Sequence, residues 1–177
     1  MTFIRRNITQ QHLERARELY DFHNIKNSIM SGAGELFGAV GEILVRDIFE
    51  FDNLDTRSTR NFDLKLNNRR IDVKTSKGYS HPHNSNNCKI PETQTKQDTD
   101  FYFFTHILHD FSVFYLLGYI SQRRFFEDAL FRNKGEIEPD GFRFRCNCYT
   151  IKVGQLQGFT KIRPRPRAGT QLFFNFF

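Results

Sequence analysis

Apolar residues recur at two different periods along this chain. Between residues 34 and 49, Leu36, Phe37, Val40, Ile43, Leu44 and Ile48 follow helical spacing, and Val45 and Phe49 widen the stripe. That pattern predicts a helix buried on most sides. A more polar amphipathic stretch over 8–20 predicts a peripheral N-terminal helix reaching to about residue 22, with Thr9 as its cap and a turn at His23-Asn24. Residues 61–66 and 70–75 alternate apolar and polar around Asn67-Asn68, a pair tolerant of left-handed backbone, and predict a β-hairpin with a two-residue turn.

The stretches 101–108 and 112–120 are rich in aromatic and β-branched residues and flank His109-Asp110, which predicts a central antiparallel pair. Ser121 caps a further helix expected to run to about Arg132, with Gly135 just beyond it, and a β segment is expected near 142–153. The polar stretch 76–99 contains His81-Pro82-His83 and Pro91 and reads as a long loop, a type usually functional in a compact domain. Together these elements predict a single α/β domain over 1–177, with a mixed four- to five-stranded central sheet flanked by helices. The C-terminal tail, about 161–177, is basic and then apolar, and its final Leu172-Phe173-Phe174 and Phe176-Phe177 are expected to dock on the domain or on another subunit.

Composition narrows the function classes. An excess of 26 Lys and Arg over 20 Asp and Glu favours a polyanionic partner through phosphate neutralisation. The first residues lead into polar sequence rather than a signal-peptide core, and no apolar run is long enough to span a bilayer. Cys88, Cys146 and Cys148 form no CxxC pair, so an intracellular, cytoplasmic setting with reduced thiols is expected. His81, His83, Cys88, Cys146 and Cys148 include zinc-ligand types, but their spacing matches no zinc pattern, and buried thiols with loop histidines remain the simpler reading.

The hairpin carries the chemistry. With Asn67-Asn68 as the turn, counting along the ladder sets Asp63 opposite Asp72, and alternation gathers Asn61, Asp63, Lys65, Arg70, Asp72 and Lys74 on the face away from Phe62, Leu64, Leu66, Ile71 and Val73. Two opposed carboxylates repel and need a cation, a shared proton or basic neighbours. A divalent metal meets that need, and oxygen ligands suit Mg²⁺, with Mn²⁺ able to substitute. Solvated pairing with Lys65, Arg70 and Lys74 is the bland alternative.

Asp63, then Asp72-Val73-Lys74, after a helix containing Gly41-Glu42, resembles the PD-(D/E)xK nuclease superfamily, which includes restriction endonucleases and Holliday junction resolvases. The resemblance covers about residues 34–120. It implies a restriction endonuclease-like fold, metal ligands at Asp63, Asp72 and Glu42, and Lys74 as the catalytic lysine. Phe62 stands where the name-giving proline would be, and Asp72 replaces the commoner glutamate. Asp63-Leu64-Lys65 with Asp55 is a second match, disfavoured because 52–60 lacks strand alternation. Glu35 is the substitute for Glu42, and Gln94 and Gln97 are candidate polar additions. Arg70, Lys77 and the spaced Arg163, Arg165 and Arg167 are candidate nucleic-acid contacts. The expected function is Mg²⁺-dependent hydrolysis of DNA phosphodiester bonds, with a homodimer as one way to cut both strands. The alternative is a non-catalytic nucleic-acid-binding module on the same fold.

Overall fold

The computed structural model describes residues 2–19, 33–49, 62–66, 68–138 and 141–159. Its main sheet is built from β1 (Ile4–Asn7), β2 (Leu64–Leu66), β3 (Arg69–Gly78), β5 (Phe101–Leu108) and β6 (Val113–Ser121), in the spatial order β1-β6-β5-β3-β2. β3 and β5 run parallel, whereas β2-β3, β5-β6 and β1-β6 are antiparallel, so the sheet is mixed. A second, three-stranded sheet has the order β4 (Asn87–Pro91), β8 (Cys148–Lys152), β7 (Leu130–Arg132). Three described helices, α1 (Gln10–Leu19), α2 (Ala33–Phe49) and α3 (Gln122–Asp128), complete the α/β architecture.

The main sheet is covered on both faces. On one, Val40, Ile43 and Leu44 of α2 bury against Ile71, Val73, Phe103 and Ile107, with Ala16 of α1 closing the layer. On the other, Tyr102, Phe104 and Ile120 pack with Ile90 of β4, Phe125 of α3 and Ile151 of β8. Strands buried on both faces read as continuous apolar runs, and this is why 101–108 and 113–120 are apolar at nearly every position. α2 approaches β3 closely at Gly41, where a Cβ would fall 2.1 Å from Thr75 Oγ1. Gly38, three residues earlier, meets nothing within 4 Å and needs no such allowance.

Three expectations change, and one strand is new. The stretch 76–99 is not a bare loop: β3 continues to Gly78, and β4 and a 3-10 turn (Glu92–Gln94) follow, because Cys88 and Ile90 bury into the second core while their neighbours stay polar. The helix expected to reach Arg132 stops at Asp128, since 130–132 is recruited as β7 by pairing with β8. The β segment expected over 142–153 contracts to β8, preceded by an Ile137-Arg143 bridge. β1 was invisible to periodicity because Arg5, Arg6 and Asn7 leave it polar at an edge, held by backbone pairing to β6. Among the described residues no helix is long and apolar enough to cross a membrane.

Candidate active site

β3 delivers the candidate residues. Leu66 pairs with Arg69 and Leu64 with Ile71, which leaves a two-residue turn in which Asn68 takes φ of 63°. Asp63 stands one residue beyond β2. Its amide donates to the Ile71 carbonyl at 2.9 Å, one step off the ladder register, and its Oδ2 accepts from the Val73 amide at 2.7 Å. Among the described residues β2 pairs no further than Ile71, and the Asp63 carboxylate accepts from the Val73 amide in place of a ladder rung. The acids are therefore neighbours at the end of the hairpin, with Asp63 at a bend rather than inside a regular strand.

Alternation sends Ile71, Val73 and Thr75 toward α2, and Asp72 and Lys74 toward the opposite face. There Asp72 is 2% exposed and lies 2.6 Å from the Lys74 ammonium. The approach is a charge contact, and among the described residues no donor forms a regular hydrogen bond to Asp72 Oδ2. Lys74 instead donates to Gln94 Oε1 at 2.9 Å and Gln97 Oε1 at 3.1 Å, both in the crossover between β4 and β5. The backbone carbonyl of Gln97 accepts from Gln122 Nε2 at 2.8 Å, which ties this crossover to the start of α3.

Asp63 registers charge from both faces. Burial first, then Glu42 and Asp72, push its carboxyl well above the usual carboxylate range, and the Val73 amide and Lys74 ammonium oppose this without cancelling it. Glu42 reaches this neighbourhood from the partly exposed side of α2. Two acids, Glu42 and Asp72, and one lysine, Lys74, thus all act on Asp63. Among the described residues no three His, Cys, Asp or Glu side chains stand close enough to hold an ion as they are. The donor set nevertheless suits Mg²⁺, which takes one or two carboxylates and fills its remaining positions with water or phosphate oxygens.

The other expected contacts fall differently. Arg70 is held by Asp98 and by Asp100, whose Oδ1 is 3.2 Å from Nη2 and whose Oδ2 accepts the Arg70 amide at 2.8 Å. This pair fixes the start of β5 beside β3, and the Arg70 bond holds the Asp100 carboxyl below its ordinary range. Lys77 lies on the α2 face with its ammonium 5.1 Å from the Phe37 ring centre. Arg163, Arg165 and Arg167, with the tail from 160 onward, lie outside the described residues, as do Asn61 and Asp55. Nothing is described of the Glu35 side chain.

The zinc candidates are dispersed. His81 bonds the Tyr115 hydroxyl, Cys88 is buried in the second core, and Cys146 Sγ lies 3.7 Å from Cys148 Sγ. Burial, with Cys146 beside it, pushes the Cys148 thiol up to about 12, so it remains protonated at neutral pH. Tyr102, by contrast, is a neighbour of the site that local sequence does not point to. It aligns with Asp72 across the parallel β3-β5 pair, and burial pushes its phenol up to about 12, with a smaller contribution from the Asp72 charge. No local signal encodes that register. No protein-family model matches this sequence, and no characterised protein matches it.

Proposed function

We propose that the protein is a divalent-metal-dependent nuclease hydrolysing DNA phosphodiester bonds, on a restriction endonuclease-like variant of the α/β fold. One observation carries the reading: the charges of Glu42 and Asp72 both act on the buried Asp63 carboxyl, and Lys74 is the cation built in beside them, 2.6 Å from Asp72. Clustered, partly desolvated acids cost stability without a counter-charge, and sites that keep them commonly do so for chemistry.

Asp63 and Asp72 are the residues to hold Mg²⁺ or Mn²⁺, with Glu42 approaching from α2. When bound, such an ion supplies Lewis-acid polarisation of the phosphodiester and offsets the charge that develops on it. Lys74 adds a fixed positive charge for the same developing charge, and Gln94 and Gln97 hold its ammonium in position. Val73, by donating to Asp63, fixes the orientation of that carboxylate. Ile71 and Val73, buried under α2, fix the register of the strand that carries Asp72 and Lys74.

The test is cleavage of supercoiled and linear DNA with Mg²⁺ or Mn²⁺, and with chelator. Metal-dependent cleavage that falls about a hundredfold or more in Lys74→Ala is expected, with circular dichroism used to establish that the variant is folded. Undiminished cleavage in folded Lys74→Ala would remove the lysine from the mechanism. Failure of the wild type to cleave DNA, RNA or branched substrates would leave the non-catalytic binding module as the better reading.

A further inference from the structure

We infer that the excursion between β7 and β8 is a binding groove for single-stranded polynucleotide, distinct from the acidic site. The inference deepens the nuclease reading and rests on it for the identity of the ligand. Lys134, Phe142, Arg143, Phe144 and Arg145, with Gly135 and Gly141, line an open groove of about 750 Å³. The groove is apolar along its wall, and the charged side chains among its described lining residues are all basic. Those two features together match a chain of phosphates carrying flat apolar faces.

The aromatic element is Phe142. The residue is 43% exposed, and its ring has the Lys89 ammonium 3.2 Å from its centre and meets Phe144 edge-on. Phe144 is buried, so the pair forms an anchored platform rather than a loose side chain. Lys89 is in turn held at 3.0 Å by Glu138, which is itself buried. Stacking on such a ring is open to every base, because every base has a π face. Lys134, Arg143 and Arg145 are exposed around it and supply phosphate contacts.

The described backbone of the excursion, on either side of 139–140, is well tied. Gly135 donates to Phe144, Phe144 to Glu136, and Glu138 to Phe142, all at 2.8 to 2.9 Å. Gly135 and Gly141 adopt φ of 88° and 86°, and a Cβ at either position would meet nothing within 4 Å, so the groove is open where they line it. The excursion is also joined to the candidate active site. The Lys134 amide donates to Asn147 Oδ1 at 2.9 Å, and Asn147 Nδ2 donates to Glu92 Oε2 at 2.9 Å. Glu92 opens the 3-10 turn that carries Gln94, the Lys74 partner. A strand held in the groove is therefore anchored to the framework that positions the lysine.

The test separates binding from cleavage by measuring the full chain in excess chelator. Fluorescence anisotropy is read with a labelled oligothymidylate and with a duplex of equal length, and an oligoglutamate serves as competitor. Tighter binding of the single strand is expected, weakened about tenfold by Phe142→Ala and retained by Phe142→Tyr. The double variant Lys134→Glu/Arg143→Glu is expected to lower the slope of log affinity against log salt by about 1.4, the loss of two phosphate contacts on a single strand. Should Phe142→Ala unfold, the double charge variant and Phe142→Tyr decide the matter. No binding of either nucleic acid, or binding indifferent to both Phe142 and the charge pair, overturns the groove. Equal competition by oligoglutamate assigns the surface to an acidic protein and overturns it too. Absence of cleavage in a separate assay with Mg²⁺ would strike the nuclease reading and leave these binding outcomes standing.

Discussion

The two faces of β3 are built from one strand under opposite rules. Toward α2, Ile71 and Val73 are buried among aliphatic and aromatic neighbours, and Thr75 meets the helix backbone at Gly41. Toward the 3-10 turn, Asp72 and Lys74 are largely removed from water as well, yet they are charged. The first face gains from burial in proportion to area. The second loses hydration of two ions and recovers part of it by pairing. A strand whose apolar face is fixed so firmly can carry an expensive polar face without slipping, since a one-residue slip would exchange the two.

The largest way to break this asymmetry is to remove one ion of the pair. Lys74→Ala leaves Asp72 buried beside other acids and is expected to destabilise the fold by about 3–5 kcal/mol, read from denaturant midpoints. The double variant Asp72→Asn/Lys74→Met, which removes both charges, is expected to recover most of that loss. A double variant as unstable as Lys74→Ala would mean that the polar face depends on the ions for more than charge balance.

On the apolar face, Gly41→Ala forces a methyl against Thr75 and is expected to cost about 1–3 kcal/mol through overpacking. Thr75→Ser removes a methyl near the contact but keeps the hydroxyl, so it should rescue Gly41→Ala poorly, whereas Thr75→Ala removes the Oγ1 that the new methyl would strike and should rescue it better. Equal rescue by both would place the clash elsewhere.

The smallest effect is a pH dependence at the boundary between the faces. The Asp63 carboxyl is raised on folding, so across the range between its unfolded and folded values the native state holds more protons than the unfolded state. Its contribution to stability is then greatest below the unfolded value and is lost as pH rises through the folded one. Asp63→Asn is expected to raise the melting temperature more at pH 7 than at pH 4, while still accepting from Val73 through its amide oxygen. Added Mg²⁺ should stabilise the wild type and have less effect on this variant, by linkage. A larger gain at pH 4 than at pH 7 would contradict the raised carboxyl.

Local sequence was most informative where a regular period met a hard boundary. α2, the two-residue turn, β5 and β6 were legible because their apolar positions repeat and Asn68 tolerates the left-handed backbone that the turn demands. Asp72 and Lys74 followed from the same counting. β1, β4 and β7 were not legible, since each is short and its pairing partner is distant in the chain. Their strand character is acquired only when the partner is in place.

By itself, the sequence determined which residues of β3 face together, because side-chain alternation is local and inescapable. It could also nominate Asp63, Asp72 and Lys74 from the turn between them. Only the tertiary structure decided that Asp63 leaves the ladder to accept from Val73, that Glu42 on α2 comes near enough to act on it, and that Gln94 and Gln97 take the Lys74 ammonium. It likewise gave Arg70 to Asp98 and Asp100, and gathered Phe142 with Lys134, Arg143 and Arg145 around one groove. The reason is common to all of these: electrostatic and hydrogen-bonding partners are set by distance through space, and distance through space is fixed only after the two faces of the sheet have been covered.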